Sequence, residues 1–136
     1  TQNETWCARA HSHDSICYSR IAWIEKDEGV CAEIQEEWGE DKLSSREDCY
    51  VGMGVVKDIQ LCEKIINNEK KKECYEKARQ IKENGAKVCE KLPTSPVIAF
   101  ERNDCFFWVA LVKNEPKLCN EIDYTNYRII CRATVE

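Results

Sequence analysis

The chain has 136 residues, 33% of them charged and 43% apolar, and a formal net charge of −5. That length holds one domain with a modest core, and the composition excludes an intrinsically disordered chain. The longest unbroken apolar run, Phe106–Val112, is too short to cross a bilayer, so no membrane insertion by this segment is expected.

Ten cysteines dominate the sequence. Their even number suits five disulfides, and their density points to an oxidising compartment, extracellular or at a cell surface. The hyperthermophile cytosol is the exception, and abundant Glu and Lys with only five Gly keep it open. The chain begins at Thr1, which suits a mature form after signal removal or a trimmed chain. Asn3-Glu4-Thr5 is a glycosylation sequon.

From the N-terminus onward, two kinds of cysteine alternate. Cys7, Cys31, Cys62, Cys89 and Cys119 each follow an apolar residue and precede another three positions on: Ala10, Ile34, Ile65, Leu92 and Ile122. Cys17, Cys49, Cys74 and Cys105 are each followed by an aromatic, and Cys131 departs from this with Arg132. Successive cysteines of one kind lie 24 to 32 residues apart, the period of a stacked repeat. Cys17, Ile21 and Ile24 keep helical spacing, as do Cys49, Met53 and Val56, and Cys105, Val109 and Val112.

Turn signals fall between the apolar stretches, at Asp27-Glu28-Gly29, Lys57-Asp58, Asn84-Gly85 and Asn114-Glu115-Pro116. Gly85 reads as a helix stop and Pro116 as the first turn of a helix. The pattern predicts short helices near 4–11, 29–37, 60–67, 86–92 and 116–122. It predicts long ones near 15–26, 45–57, 69–83, 99–113 and 124–134. Leu92-Pro93-Thr94-Ser95-Pro96 interrupts the chain without dividing it, so one domain over 1–136 is expected.

In an antiparallel helix hairpin, residues equidistant from the loop face each other. Cys62 and Cys74 are centred on Asn68, Cys119 and Cys131 on Thr125, and Cys7 and Cys17 on Ser12. The wider pairs, Cys31–Cys49 and Cys89–Cys105, are centred near Glu40 and Val97. The alternative Cys49–Cys62 is centred inside a predicted helix, away from its loop. Bridged Cα atoms must lie about 4.4–6.8 Å apart, so the predicted pairs are 7–17, 31–49, 62–74, 89–105 and 119–131.

Little in the sequence points to chemistry. No two cysteines are closer than ten residues, whereas zinc and iron–sulfur ligands come in close pairs. His11 and His13, with Asp14, are the one histidine cluster, and they read as a solvated hairpin loop rather than a metal site. Glu33, Glu36, Glu37, Glu40 and Asp41 around Trp38 read as an acidic helix face, although a pair of them in a cleft would serve acid–base work. Gly52-Met53-Gly54 lacks the third glycine of a nucleotide loop and reads as small residues where a neighbour packs closely. No cofactor and no nucleic acid are implied.

Charge is uneven. Residues 1–48 hold 12 acidic and 5 basic side chains, whereas residues 63–91 hold 9 basic and 6 acidic, including Lys70-Lys71-Lys72. Opposite-signed ends favour head-to-tail association of neighbouring subunits. Phe106, Phe107 and Trp108 are consecutive and cannot share one side of a helix. At least one of them is expected to look outward, toward another repeat, a ligand or a partner.

The phrase Asp48-Cys49-Tyr50 … Leu61-Cys62-Glu63-Lys64-Ile65 returns as Asp104-Cys105-Phe106 … Leu118-Cys119-Asn120-Glu121-Ile122. It resembles cysteine-rich helical repeats of predicted secreted or membrane-anchored proteins of archaea. The resemblance implies a fold and carries no activity and no functional residue.

The expected fold is all-α: a short solenoid-like stack of about five disulfide-stapled antiparallel helix hairpins. The expected function is non-catalytic, an extracytoplasmic protein-interaction or scaffold module. The alternatives are a structural subunit of a cell-surface filament or assembly, and a carrier of a small apolar ligand.

Overall fold

A computed structural model describes residues 15–34, 46–92 and 99–135, and all regular structure among them is helical. The long helices are α1 (Ser15–Glu25), α3 (Arg46–Val56), α4 (Asn68–Asn84), α6 (Ala99–Lys113) and α7 (Thr125–Val135). The short α2 (Glu28–Glu33) and α5 (Lys87–Glu90) are α-helical, and Ile59–Lys64 and Pro116–Glu121 are 3-10 helices. Every described long helix begins and ends within about one residue of its predicted span. The predicted helix over 4–11 lies outside the described residues.

The chain divides into two compact units, Thr1–Tyr75 and Glu76–Glu136, with the division inside α4 rather than at the Pro-rich segment. In the first unit, α1 packs on α2 and α3, and α3 packs on the 59–64 helix. The indole Nε1–H of Trp23 donates to the Cys49 carbonyl at 2.9 Å, tying α1 to α3. In the second unit, α6 packs on α5, on the 116–121 helix and on α7.

One backbone design recurs around each described short-helix cysteine. The residue four before it offers its carbonyl to the amide of the residue just before it: Asp27 to Val30, Asp58 to Leu61, Gly85 to Val88 and Glu115 to Leu118. The cysteine carbonyl then accepts the amide of the apolar residue three on, from Ile34, Ile65, Leu92 and Ile122 at 3.0–3.2 Å. A bond of that span is the 3-10 repeat, and it recurs in all four segments, the two α-helical ones included. Ile34, Ile65 and Ile122 then turn extended, ending the segments at 33, 64 and 121. The predicted continuation to 67 therefore stops early, and residues 35–37 of the predicted 29–37 helix lie outside the described residues. Each of the three isoleucines is buried.

Local chemistry fixes the helix ends. Asp27 and Asp58 cap the segments that follow them through Oδ1, accepting from the amides of Gly29 and Gln60. Asn67 caps α4 by accepting from the Lys70 amide at 3.0 Å. Lys26 and Asn114 adopt left-handed backbone conformations, each with φ of 54°. Their successors' amides reach back to Ala22 and Ala110, closing α1 and α6. Gly85, at φ +59°, stops α4 as its position predicts, and its amide bonds to the Ile81 carbonyl.

Four disulfides join the described cysteines as predicted: Cys31–Cys49, Cys62–Cys74, Cys89–Cys105 and Cys119–Cys131, with Cα–Cα distances of 5.6–5.7 Å. Each links a short helix to the long helix that follows it. Cys17 is also oxidised, but Cys7, its predicted partner, lies outside the described residues. The sequence separations of 12 to 18 correspond to roughly 3 kcal/mol per bridge through loop closure in the unfolded chain.

Candidate functional site

The recurring Asp-Cys-aromatic phrase is where the two units place their polar side chains most deliberately. Position minus two from the long-helix cysteine is Glu47 in one unit and Asn103 in the other. Glu47 accepts from the backbone amides of Ile66 and Asn67, at 2.6 and 3.3 Å. Asn103, wholly buried, accepts from the Asp123 amide at 3.2 Å. Ile66 and Asp123 both stand four residues after the next short-helix cysteine, so these are one contact made twice.

Position minus one is aspartate both times. Asp48 meets the Lys70 ammonium at 2.5 Å. Asp104 accepts from the Tyr127 hydroxyl at 2.5 Å. Lys70 and Tyr127 both lie four residues before the next long-helix cysteine. The aspartates therefore reach forward to the next stapled pair, a role that their recurrence marks and that no local pattern discloses.

Burial tends to strip the proton from Lys70, but the hydrogen bond and charge of Asp48 outweigh it, and its pKa rises. Burial likewise raises the phenol pKa of Tyr50. The hydrogen bond that the Tyr75 hydroxyl donates to Glu63 raises its pKa as well.

Gly54 explains the small-residue stretch on α3. A Cβ at Gly54 would fall 2.6 Å from Sγ of both Cys62 and Cys74. The helix backbone thus lies directly against the bridge. Cys74 Sγ is also 3.8 Å from the carbonyls of Tyr50 and Val51, a packing contact, since an oxidised sulfur carries no proton to donate.

Phe106, Phe107 and Trp108 are all buried. They are 1%, 0% and 4% exposed, so none of them offers an open surface to a partner, and of the three expected directions it is toward neighbouring repeats that they pack. Helix α6 is enclosed on several sides. Phe107 meets Tyr127 of α7 edge-on, ring centroids 5.2 Å apart. The Lys77 ammonium of α4 lies 5.7 Å from the Trp108 ring, and the Arg102 guanidinium lies 4.8 Å from the Phe106 ring.

His11, His13, Glu36, Glu37, Trp38, Glu40 and Asp41 lie outside the described residues, and Glu33 is exposed. Of the lysine run, Lys70 is engaged with Asp48 and Lys72 is exposed. Among the described residues, no group of three His, Cys, Asp or Glu side chains is placed to hold a metal ion, and no helix is long and apolar enough to cross a membrane. Among the described residues, the large apolar side chains that are exposed are Ile66, Val112, Tyr124 and Ile129.

No protein-family model matches the chain, and no curated protein and no solved structure matches it.

Proposed function

We propose that the chain is a non-catalytic extracytoplasmic interaction or scaffold module, built as a short solenoid-like stack of disulfide-stapled helix hairpins. The observation that carries this reading is the use to which the reactive side chains are put. All eight cysteines of the four described bridges are 0–1% exposed, and oxidised, buried sulfur serves neither as nucleophile nor as metal ligand. The carboxylates beside them, Glu47, Asp48 and Asp104, hold backbone amides, an ammonium and a phenol of the fold itself. A stapled array of this kind presents an extended surface for binding. The oxidised sulfurs support an extracellular or cell-surface location.

A native mass spectrum of the protein from its own source, taken without reductant, tests the reading. The expected mass is one hydrogen short for every cysteine, with no retained small molecule or metal. A stoichiometric adduct would overturn it and favour a ligand carrier or an enzyme.

A further inference from the structure

The four described bridges recur two at a time. Taken singly, successive cysteines of one kind among them lie 25 to 31 residues apart. Taken in twos, Cys31 and Cys89 are 58 residues apart and Cys49 and Cys105 are 56 apart. Cys62 and Cys119 are 57 apart, and so are Cys74 and Cys131. Helix type follows the longer period. The short helices that hold Cys31 and Cys89 are α-helical, whereas those that hold Cys62 and Cys119 are 3-10 helices. These two, Ile59–Lys64 and Pro116–Glu121, are 57 residues apart at both ends.

The polar contacts keep the same period. Glu47 holds the Ile66 amide where Asn103 holds that of Asp123. Asp48 meets Lys70 where Asp104 meets Tyr127. A third contact joins them: the Tyr75 hydroxyl donates to Glu63, and the Arg132 guanidinium, in the place of Tyr75, donates to Asn120, in the place of Glu63. Each place is kept while its chemistry changes, a carboxylate for a carboxamide, an ammonium for a phenol, a phenol for a guanidinium. Contacts that persist through such exchanges mark a requirement of the architecture. The first two run from the long helix of one staple to the segment of the next. At the matching places before Cys74 stand Lys72, which is exposed, and Glu73, so the phrase is not continued from there. The division of the chain, between Tyr75 and Glu76, falls directly after Cys74.

We propose that the unit of folding is two staples, Cys31–Cys49 with Cys62–Cys74 and Cys89–Cys105 with Cys119–Cys131, and that each unit opens as a whole and separately from the other. Within a unit, opening either staple breaks the contacts of the acidic or amide side chains that bridge the two, so both staples share one opening. Cooperative openings of this size are the usual sub-global events of native proteins. The property belongs to the fold and holds whatever the chain binds.

Hydrogen exchange of the non-reduced full chain in low urea, read by mass spectrometry on peptides reduced after quenching, tests this. Lys70→Met and Tyr127→Phe remove equivalent partners, each on the second staple of its unit. Both variants should keep the wild-type far-ultraviolet circular dichroism. Lys70→Met should speed exchange a few-fold, since its ion pair is partly exposed, over residues 46–56 as well as 59–75, and leave 99–135 unchanged. Tyr127→Phe should speed exchange about tenfold over 99–113 as well as 116–135, and leave 46–75 unchanged. Acceleration of both units by either substitution would overturn the proposal, because the chain would then open as one. Acceleration confined to the substituted helix, sparing α3 or α6, would overturn it in favour of single-staple repeats. No acceleration in either variant would show that these contacts bind no unit together.

Discussion

Gly54 lies against the Cys62–Cys74 bridge so closely that a single added carbon would sit 2.6 Å from both sulfurs. The contact sets the backbone of α3 against the staple that follows it. Neither sulfur is the free end of a side chain; each is held by the bond to the other. A substitution at Gly54 must therefore move either α3 or the bridge. Gly54→Ala is expected to destabilise the protein by about 1–3 kcal/mol, the usual cost of overpacking, even though alanine favours helices. Urea denaturation of the oxidised protein checks this, and an unchanged or raised midpoint would show that the bridge yields freely.

The Asp104–Tyr127 hydrogen bond should be measurable on its own. Tyr127 is 1% exposed and stacks edge-on with Phe107. Tyr127→Phe keeps the ring and removes the hydroxyl, so the stacking survives and the bond to the carboxylate is lost. The expected loss is about 1.5–3 kcal/mol, in the range for hydrogen bonds to charged groups. Asp104→Asn in the same background should add little beyond it if the pair acts as a unit, as a double-mutant cycle would reveal.

Stability should fall on the alkaline side. Lys70, Tyr50 and Tyr75 all hold their protons more tightly in the folded chain than at their ordinary values of 10.5 for lysine and 10.0 for tyrosine. A raised folded pKa gives stability that is fully present below the unfolded value and is lost as pH rises through the folded one. The urea midpoint should hold from neutral pH to about pH 9 and decline above it. Asp48→Asn removes the group that lifts Lys70 and should flatten part of that decline. On the acid side, Glu28 is lowered chiefly by its hydrogen bond from Lys57, so its contribution is present above 4.5 and fades as pH falls. That pair is largely exposed, and added salt should erase its effect.

The bridges should resist reductant until the chain opens. The eight cysteines in the described pairs have almost no exposed surface, and exchange requires a thiolate to reach a sulfur in line. In dilute dithiothreitol the native protein should lose its bridges at the rate of local or global opening, so that moderate urea accelerates the loss at fixed reductant. Immediate, stoichiometric reduction in the absence of denaturant would contradict the burial of the sulfurs.

Much of this architecture was legible because its signals are local. The long helices follow from apolar spacing around Cys17, Cys49 and Cys105, and from stop signals such as Asn84-Gly85. Pairing followed from symmetry about each loop, which holds for Cys62 and Cys74 as well as for the wider Cys31 and Cys49. The 3-10 character of two short segments was less visible, because the spacing from Cys62 to Ile65 suits either helix type. What escaped was tertiary. Asp48 finds Lys70 twenty-two residues on, and nothing near Asp48 announces that. Three consecutive aromatics, Phe106, Phe107 and Trp108, exceed what a helix buried along one side can cover. Helix α6 instead meets Tyr127 and Lys77 from separate elements, so consecutive residues are all covered.

Short-range staples in chain order hold the described helices together, and peptide mapping of the non-reduced protein tests them most directly. Digestion at acid pH, where exchange is slow, followed by mass analysis of linked peptides, should recover Cys31–Cys49, Cys62–Cys74, Cys89–Cys105 and Cys119–Cys131. A linked peptide joining Cys49 to Cys62, or any bridge that crosses from one stapled pair to another, would contradict both the repeat and the placement of Gly54 against its bridge.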